Sequence, residues 1–517
     1  MTITLGVAQS ELIAALSIAG DLGMGQPEGQ SLRTCLLALG VAREMGLSET
    51  QCADIYFFTL LRFAGCNSHA DQDARAAGGD ERAFRRTMAP VLAAEPAQIL
   101  PHVIRNLGSD LPARRRAAVV AGMLVSGPKH AREGSAATCE VARMFASQLG
   151  LGSALIQALG FQFEYWNGKG MPNGVSGEAI PIAARVGMVA RDVDVVTTVG
   201  GRELADEVLR RRRGRAYDPK VADAFRRYAW RVLPEIKVES LWTDIIEADP
   251  TSGAVLEGER LTTALETCAH FADIKCWFTR DHSPLVSSVA GRAAGSLGLS
   301  PIEVEATAAA GLVQEMGRTG IPNGILELRD TLTSSQWDAV KQSTYLIQRI
   351  LGRCRGLDLV TSLAMSHHER LDGSGYHRGI GADRIPPGAR ILAAADAFKA
   401  MTTDRPWRPK LAPAEVVRQL SSEVKAGRLA HDAVDAVLSA AGHEALPRRQ
   451  SGPAGLTDRE IEVLRLISLG RTNRDVAQQL FISPKTVGRH IENIYAKVGV
   501  STRPAATLYA MQHRLLS

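Results

Sequence analysis

The stretch GLTDREIEVLRLISLGRTNRDVAQQLFISPKTVGRHIENIYAKVGVSTR, Gly455 to Arg503, reads as three short helices separated by tight turns. Thr457, followed three residues later by Glu460, forms a capping box, a pair that satisfies two backbone N–H groups where a helix starts. The helix it opens carries Ile461, Val463, Leu464, Leu466 and Ile467 and stops at Gly470. A second helix starts near Thr472 or Asn473 and holds Val476, Ala477 and Leu480. Beyond Phe481 and Ile482, Ser483 caps a third, with Pro484 at the first helical position, where its missing N–H has no partner to lose. Val487, Ile491, Ile494 and Tyr495 give this third helix its apolar stripe, and Gly499 ends it.

Two helices and a turn of this kind hold a third so that its N-terminal part can enter a major groove. The polar face of the third helix offers Lys485, Thr486, Arg489, His490, Asn493 and Lys497. Lysine and arginine neutralise phosphates or donate to guanine edges, and Asn493 can address adenine or a phosphate. Charge follows the same division. From Arg448 onward there are 11 Lys/Arg against 5 Asp/Glu, a net +6, while the whole chain is +5. A basic tail on a near-neutral body suits a polyanionic partner for the tail alone. The plain alternative is a solvated helix face; caps, turn and basic face together weigh against it. The segment closely resembles the LuxR-type helix-turn-helix family over about 60 residues. That resemblance implies a transcription regulator that binds double-stranded DNA as a homodimer. The DNA-binding domain is expected at 456–517, after a Pro- and Gly-rich linker at 446–455.

The remaining chain is too long for one core, and 517 residues suggest roughly three domains. Hydrophobic residues make up 45% and charged residues 22%, as in ordinary globular proteins, and the many Ala- and Leu-rich stretches at helical spacing predict an all-α fold. Met1-Thr2-Ile3-Thr4 is no signal peptide, and no apolar run approaches the roughly 18 residues that cross a bilayer. Seven scattered cysteines without a close CxxC pair fit buried thiols rather than a disulfide scaffold. The expectation is a cytoplasmic protein without membrane partners.

Two segments of the body align with each other. Gln30-Ser31 and Gly46-Leu47-Ser48 match His282-Ser283 and Gly298-Leu299-Ser300 at an offset of 252. Glu164, Gly168, Gly170, Ile180, Pro181 and Arg185 match Glu369, Gly373, Gly375, Ile385, Pro386 and Arg390 at an offset of 205. The difference places about 47 extra residues in the first copy, near 69–132. The expected domains are therefore 1–249, a repeat with an insertion, and 250–445, its second copy.

Over roughly Leu261 to Gly442 the second copy resembles the HD-GYP family. The resemblance is most specific in SHHERLDGSGYHRG (Ser366–Gly379) and IPPGARILAAADAFKAMTTDRPWRP (Ile385–Pro409), with Tyr376 at the signature tyrosine and His377 in place of the proline. It implies tandem HD-domain-like helical bundles and a metal-dependent phosphodiesterase, with cyclic di-GMP as the substrate. His282, His367, His368 and Asp396 match the metal ligands of that family. Gln314-Glu315 stand at its His-Asp pair, Ser343 at a further histidine, and Arg318 at its phosphate-side lysine.

Consecutive histidines on a helix point about 100° apart, which suits two neighbouring ions better than one. A glutamine amide and a serine hydroxyl are weak substitutes for imidazole. Even losses one layer further out cost a metal site about 10–100-fold. A single weakly held ion, Fe or Mn, at His282, Glu315, His368 and Asp396 is the most this set supports, and no cofactor is assigned outright. The first copy keeps less: Gln30, Arg62-Phe63, Thr138, Gln162-Phe163 and Arg191 occupy the ligand positions, while Gly168 and Gly170 remain for a tight turn. Arg210–Arg213 reads as a solvated helix end before Gly214, His69, His102, His130, His431 and His443 as isolated histidines, and Trp166 and Trp337 as packing residues.

Three readings stay open. In the first, the body is a non-catalytic module that senses a ligand, a cyclic dinucleotide by resemblance, or mediates dimerisation. In the second, it is an active phosphodiesterase, with Arg318 beside the phosphate. The third is a pure interaction scaffold.

Overall fold

A computed structural model describes residues 5–91, 96–109, 111–251, 253–443, 453–513 and 515. The chain is helical almost throughout, as its sequence pattern predicts. It divides into two compact units, 1–444 and 445–517. Most of the expected linker, 446–452, lies outside the described residues.

The first unit repeats one design. A three-residue strand, β1 (Gly6–Ala8), leads into α1 (Gln9–Gly23), α2 (Gln30–Glu44) and α3 (Glu49–Leu61). The long α4 (Ala113–Gln148) and α5 (Ile182–Arg212) complete the first copy's frame. β2 (Val255–Glu257) begins the second copy, which continues through α6 (Gly258–Asp273), α7 (His282–Ser296), α8 (Pro301–Val313), α9 (Ser334–Leu351), α10 (Asp358–Ala364) and α11 (Pro387–Met401). β1 and β2 pair antiparallel, Gly6 opposite Glu257 and Val7 opposite Leu256. Three-residue strands are too short to show a period-2 pattern, so the sequence does not announce them. Between His69 and α4 the first copy carries extra helices, Ala70–Ala77, Glu81–Met88 and Pro96–Asn106.

Local chemistry repeats with the fold. Ser48 and Gln51 form a capping box at α3, and Ser300 and Glu303 form one at α8. Asp21 accepts from the Ser31 amide (3.0 Å) and hydroxyl (2.6 Å), and Asp273 does the same with Ser283, at 2.8 Å for both. Burial is the main reason each of these carboxyls is pushed up to about 7. Glu164 gathers the amides of Asn173, Gly174 and Val175, and Glu369 those of Arg378 and Ile380. The glycines beneath them serve two purposes. Gly168 and Gly373 adopt φ of 73° and 79°. Gly170 and Gly375 are needed for closeness instead: a Cβ on Gly170 would meet the Tyr165 amide nitrogen at 2.3 Å. Gly170→Ala is expected to destabilise the body by about 1–3 kcal/mol in denaturant unfolding, because only backbone stands in its way.

The two copies share one interior. α1 is buried on nearly every side and packs against both α2 and α9. Glu11 accepts from the Arg355 amide at 2.8 Å, and Asn67 donates to the Phe271 carbonyl at 2.8 Å. Lys275 of the second copy meets Glu81 of the first copy's insertion at 2.6 Å, both side chains essentially inaccessible.

Among its described residues the second unit has four α-helices where the sequence suggests three: α12 (Asp458–Ser468), α13 (Asn473–Leu480), α14 (Pro484–Val498) and α15 (Arg503–Gln512). The capping box at Thr457 forms as expected, and Thr472 makes another with Asp475. Ser483 accepts from the Thr486 amide at 3.1 Å, and Gly499 closes α14 at φ 72°. The fourth helix is capped by Thr502 and adds Ala506 and Ala510 to a core of Val463, Leu464, Ile467, Val476, Val487 and Ile494. Its small alanines give little apolar periodicity, so the sequence pattern does not reveal it.

Candidate functional site

The groove-facing candidates of α14 follow from its apolar stripe. With Val487 and Ile494 turned into the core, Lys485, Thr486, Arg489 and Asn493 stand exposed and His490 is half-buried. Neither Lys485 nor Arg489 is held by an ion pair among the described residues. Thr486 shares a 2.8 Å hydrogen bond with Ser483 at the helix start. Lys497 departs from the expectation: its Nζ donates to Glu460 (2.7 Å) and to the Gly455 carbonyl (3.1 Å), so its charge serves the domain's own first cap.

In the second copy the ligand candidates converge. His282 opens α7, Gln314 and Glu315 follow α8, and Asp396 lies in α11. His282 Nε2 is 3.0 Å from Asp396 Oδ1 and 3.6 Å from Glu315 Oε1. His368 Nδ1 is 3.8 Å from Asp396 Oδ2. His367 and His368 sit in the turn after α10 rather than on a helix, so their rings face one another at 3.9 Å instead of splaying. Burial holds both imidazoles below the usual histidine range, His368 furthest, which favours the neutral form that binds metals. Burial alone would raise the Asp396 carboxyl; the bond from His282 and the surrounding imidazoles bring it well below the ordinary range.

One nitrogen and two carboxylates, from His282, Glu315 and Asp396, lie within 4.8 Å of one another, which fits a single cation. Glu315 Oε1, 3.6 Å from His282, is buried without a hydrogen bond, as an atom awaiting a ligand would be; His282 Nδ1, on the other side of the ring from Nε2, is also unpartnered. A second ion finds less. Gln314 is 1% exposed with both amide atoms unpartnered, and the Ser343 hydroxyl is spent on Val340 of its own helix at 2.8 Å. Arg318 Nε sits 2.5 Å from Glu315 Oε2, so it neutralises one of the ligand candidates. Arg405, within the DRPWRP segment, is a further cleft residue that nothing in the sequence singles out. It lies buried over the Phe278 ring at 5.0 Å, and burial first, then Arg318, lowers its guanidinium to about 10.

Two readings of isolated residues change. His69 and His130 are not alone: their Nε2 and Nδ1 atoms are 3.3 Å apart, and His130 Nε2 meets Asp73 at 2.7 Å. Sixty-one residues of sequence separate them, so no local spacing announces the pair. Arg212 is not solvated: it is 1% exposed, bonded to Asp192 (2.8 Å) and Tyr217 (3.0 Å), while Arg213 is the exposed partner of Asp223. Trp337 remains 45% exposed, edge-on to Tyr376, whereas Trp166 lies under Arg185.

A body that is helical but for one pair of short strands, with a buried His–carboxylate cluster, followed by a helix-turn-helix, defines the class. Residues 266–430 match the HD domain family, and residues 454–510 match the bacterial regulatory proteins of the luxR family. The chain therefore carries an HD domain and a C-terminal LuxR-type helix-turn-helix. It is 28% identical over 402 residues to 3'3'-cGAMP-specific phosphodiesterase 3 of Vibrio cholerae, covering 77% of this chain and 87% of that protein. Transcriptional regulatory protein LiaR of Bacillus subtilis is 43% identical over 76 residues, 15% of this chain and 34% of LiaR. A crystal structure of a cyclic GMP-AMP specific phosphodiesterase of V. cholerae shares the fold, with a TM-score of 0.59, 24% identity and coverage of 86% of this chain and 99% of that one. Among the described residues no helix is long and apolar enough to cross a membrane.

Proposed function

We propose that this protein is a DNA-binding transcription regulator whose HD-type body senses a cyclic dinucleotide, without efficient catalysis, and governs the tail. The observation that carries the regulatory half is the exposed, unpaired Lys485/Arg489 face on a capped third helix. What supports a sensing rather than a hydrolysing body is the ligand set: a cluster suited to one cation beside Gln314 and Ser343, which offer no imidazole. A ligand acts by binding one arrangement of the regulator more tightly than another, in a chain that functions as a homodimer.

The rival reading, an active phosphodiesterase, draws on the converging His282, Glu315 and Asp396 and on the similarity to a cGAMP-specific enzyme. Bound there, Fe or Mn would activate water and bear charge on the phosphate oxygens. On this reading His282, Glu315, His368 and Asp396 hold the ion, His367 completes the cleft, and Arg318 faces the phosphate.

Metal analysis of the purified chain separates the two. At most one Fe or Mn per chain and no turnover of cyclic di-GMP or 3'3'-cGAMP are expected. Two ions with turnover would replace this reading by the rival. Gln314→His, Glu315→Asp and Ser343→His combined are expected to raise metal content; no gain would mean these positions do not face the ion.

A further inference from the structure

The repeat turns the charge of its cleft inside out. At the offsets that relate the copies, Arg62 takes the place of Gln314 and Arg191 that of Asp396. In the second copy Asp396 belongs to the candidate metal cluster and Gln314 precedes its Glu315, and the same frame of helices carries the corresponding positions in the first. Arg62 follows α3 and Arg191 lies within α5.

Arg62 is 6% exposed, yet among the described residues it is held only by a 3.4 Å contact from Nη1 to the Gly187 carbonyl and by the neighbouring Phe63 ring at 5.6 Å, and its Nε is buried without a hydrogen bond there. No ion pair to Arg62 occurs among the described residues. The nearest cation makes matters worse. Burial first and Arg191 second lower the Arg62 guanidinium to about 10, against a weaker opposing pull from Asp192. Arg191 reaches Asp192 through Nη1 at 2.8 Å, but its Nε is also unpartnered. Asp192 is itself shared with Arg212 and the Tyr217 hydroxyl, at 2.8 and 2.6 Å. Gln162, in the position of His367, adds a buried Oε1 without a donor.

A buried cation without a counter-charge, as Arg62 is, costs several kcal/mol, and a neighbouring cation adds to that cost. An anion lying between them removes that cost. Guanidinium groups present paired N–H donors that match phosphate oxygens. Metal ions hold a phosphodiester by charge and also activate water; arginines supply the charge without the water chemistry. The side chain of Arg191 is 16% exposed, so it is not sealed from solvent.

We propose that the cleft of the first copy is a non-catalytic binding site for a phosphate-bearing ligand, held between Arg62 and Arg191. This rests on the proposed sensing of a cyclic dinucleotide by the body, and assigns that function to the degenerate copy instead of the one with the candidate metal cluster.

The test uses the full chain, with cyclic di-GMP, 3'3'-cGAMP and inorganic pyrophosphate as separate probes in calorimetry and thermal unfolding. A dinucleotide is expected to bind and raise Tm. Arg62→Met and Arg191→Gln are each expected to weaken it at least about tenfold, the loss of one charged hydrogen-bonding group. Arg62→Met should leave the ligand-free Tm equal or higher, since it removes an unpaired buried charge; a structural arginine would lower it. His368→Ala with Asp396→Ala should leave this binding intact. Pyrophosphate binding with the same arginine dependence identifies a general phosphate site and supports the proposal. Unchanged affinity in both arginine variants overturns it. If binding is instead lost only in the His368/Asp396 variant, sensing survives but belongs to the second copy. If no probe binds the wild type, both the sensing reading and this site fall, and DNA binding is untouched.

Discussion

Lys275→Met is expected to destabilise the body by about 3–5 kcal/mol, the usual cost of leaving one half of a buried ion pair uncompensated. Lys275 Nζ and Glu81 Oε1 are 2.6 Å apart with side-chain exposures of 1% and 0%. The same carboxylate accepts from the Asn323 amide through both oxygens, at 3.2 and 3.0 Å. Removing the lysine leaves a full negative charge in a site water does not reach, with one backbone amide to satisfy it. Adding Glu81→Gln to Lys275→Met is expected to recover most of the loss, because the amide oxygen still accepts from Asn323 while the stranded charge is gone. Urea unfolding of the three variants reads both effects. A single-variant loss below about 1 kcal/mol, the scale of an exposed pair, would show that this contact does not tie the copies together.

That contact also marks where sequence reading stops. The copies can be aligned because each keeps residues with a local duty. Examples are Ser31 and Ser283 at helix starts and Glu164 and Glu369 over their glycine loops. Helical periodicity and capping residues make the first three helices of the tail legible, though not the fourth. How the copies join is not legible, since Glu81 and Lys275 are 194 residues apart and each looks like an ordinary charged surface residue. Separation by 61 residues likewise hides His69 with His130, and the burial of Arg212 is hidden because a charged residue in a run of arginines reads as solvated. In the cleft, sequence identifies the ligand candidates and the substitutions among them. Arg405 goes unread because arginine carries no signature of burial, and the expected splay of His367 and His368 fails because the chain turns where a helix would have continued.

Lys485→Ala combined with Arg489→Ala is expected to weaken binding of the full chain to its preferred duplex roughly 100-fold, from two contacts worth about 1–3 kcal/mol each. The preferred duplex is obtained by selection from a random pool of sequences. If both side chains reach phosphates, the slope of log K against log salt falls by about 2; if either donates to a guanine edge, base preference relaxes at one position. Both residues are exposed and unpaired, so the tail should unfold at its normal denaturant concentration. Lys497→Ala is the informative contrast. Its charge is held by Glu460 and the Gly455 carbonyl, so it is expected to lower tail stability while leaving the salt slope nearly unchanged. Wild-type affinity in the double variant would remove the third helix from the interface. A loss confined to Lys497→Ala would mean that the domain's integrity, rather than this face, governs binding.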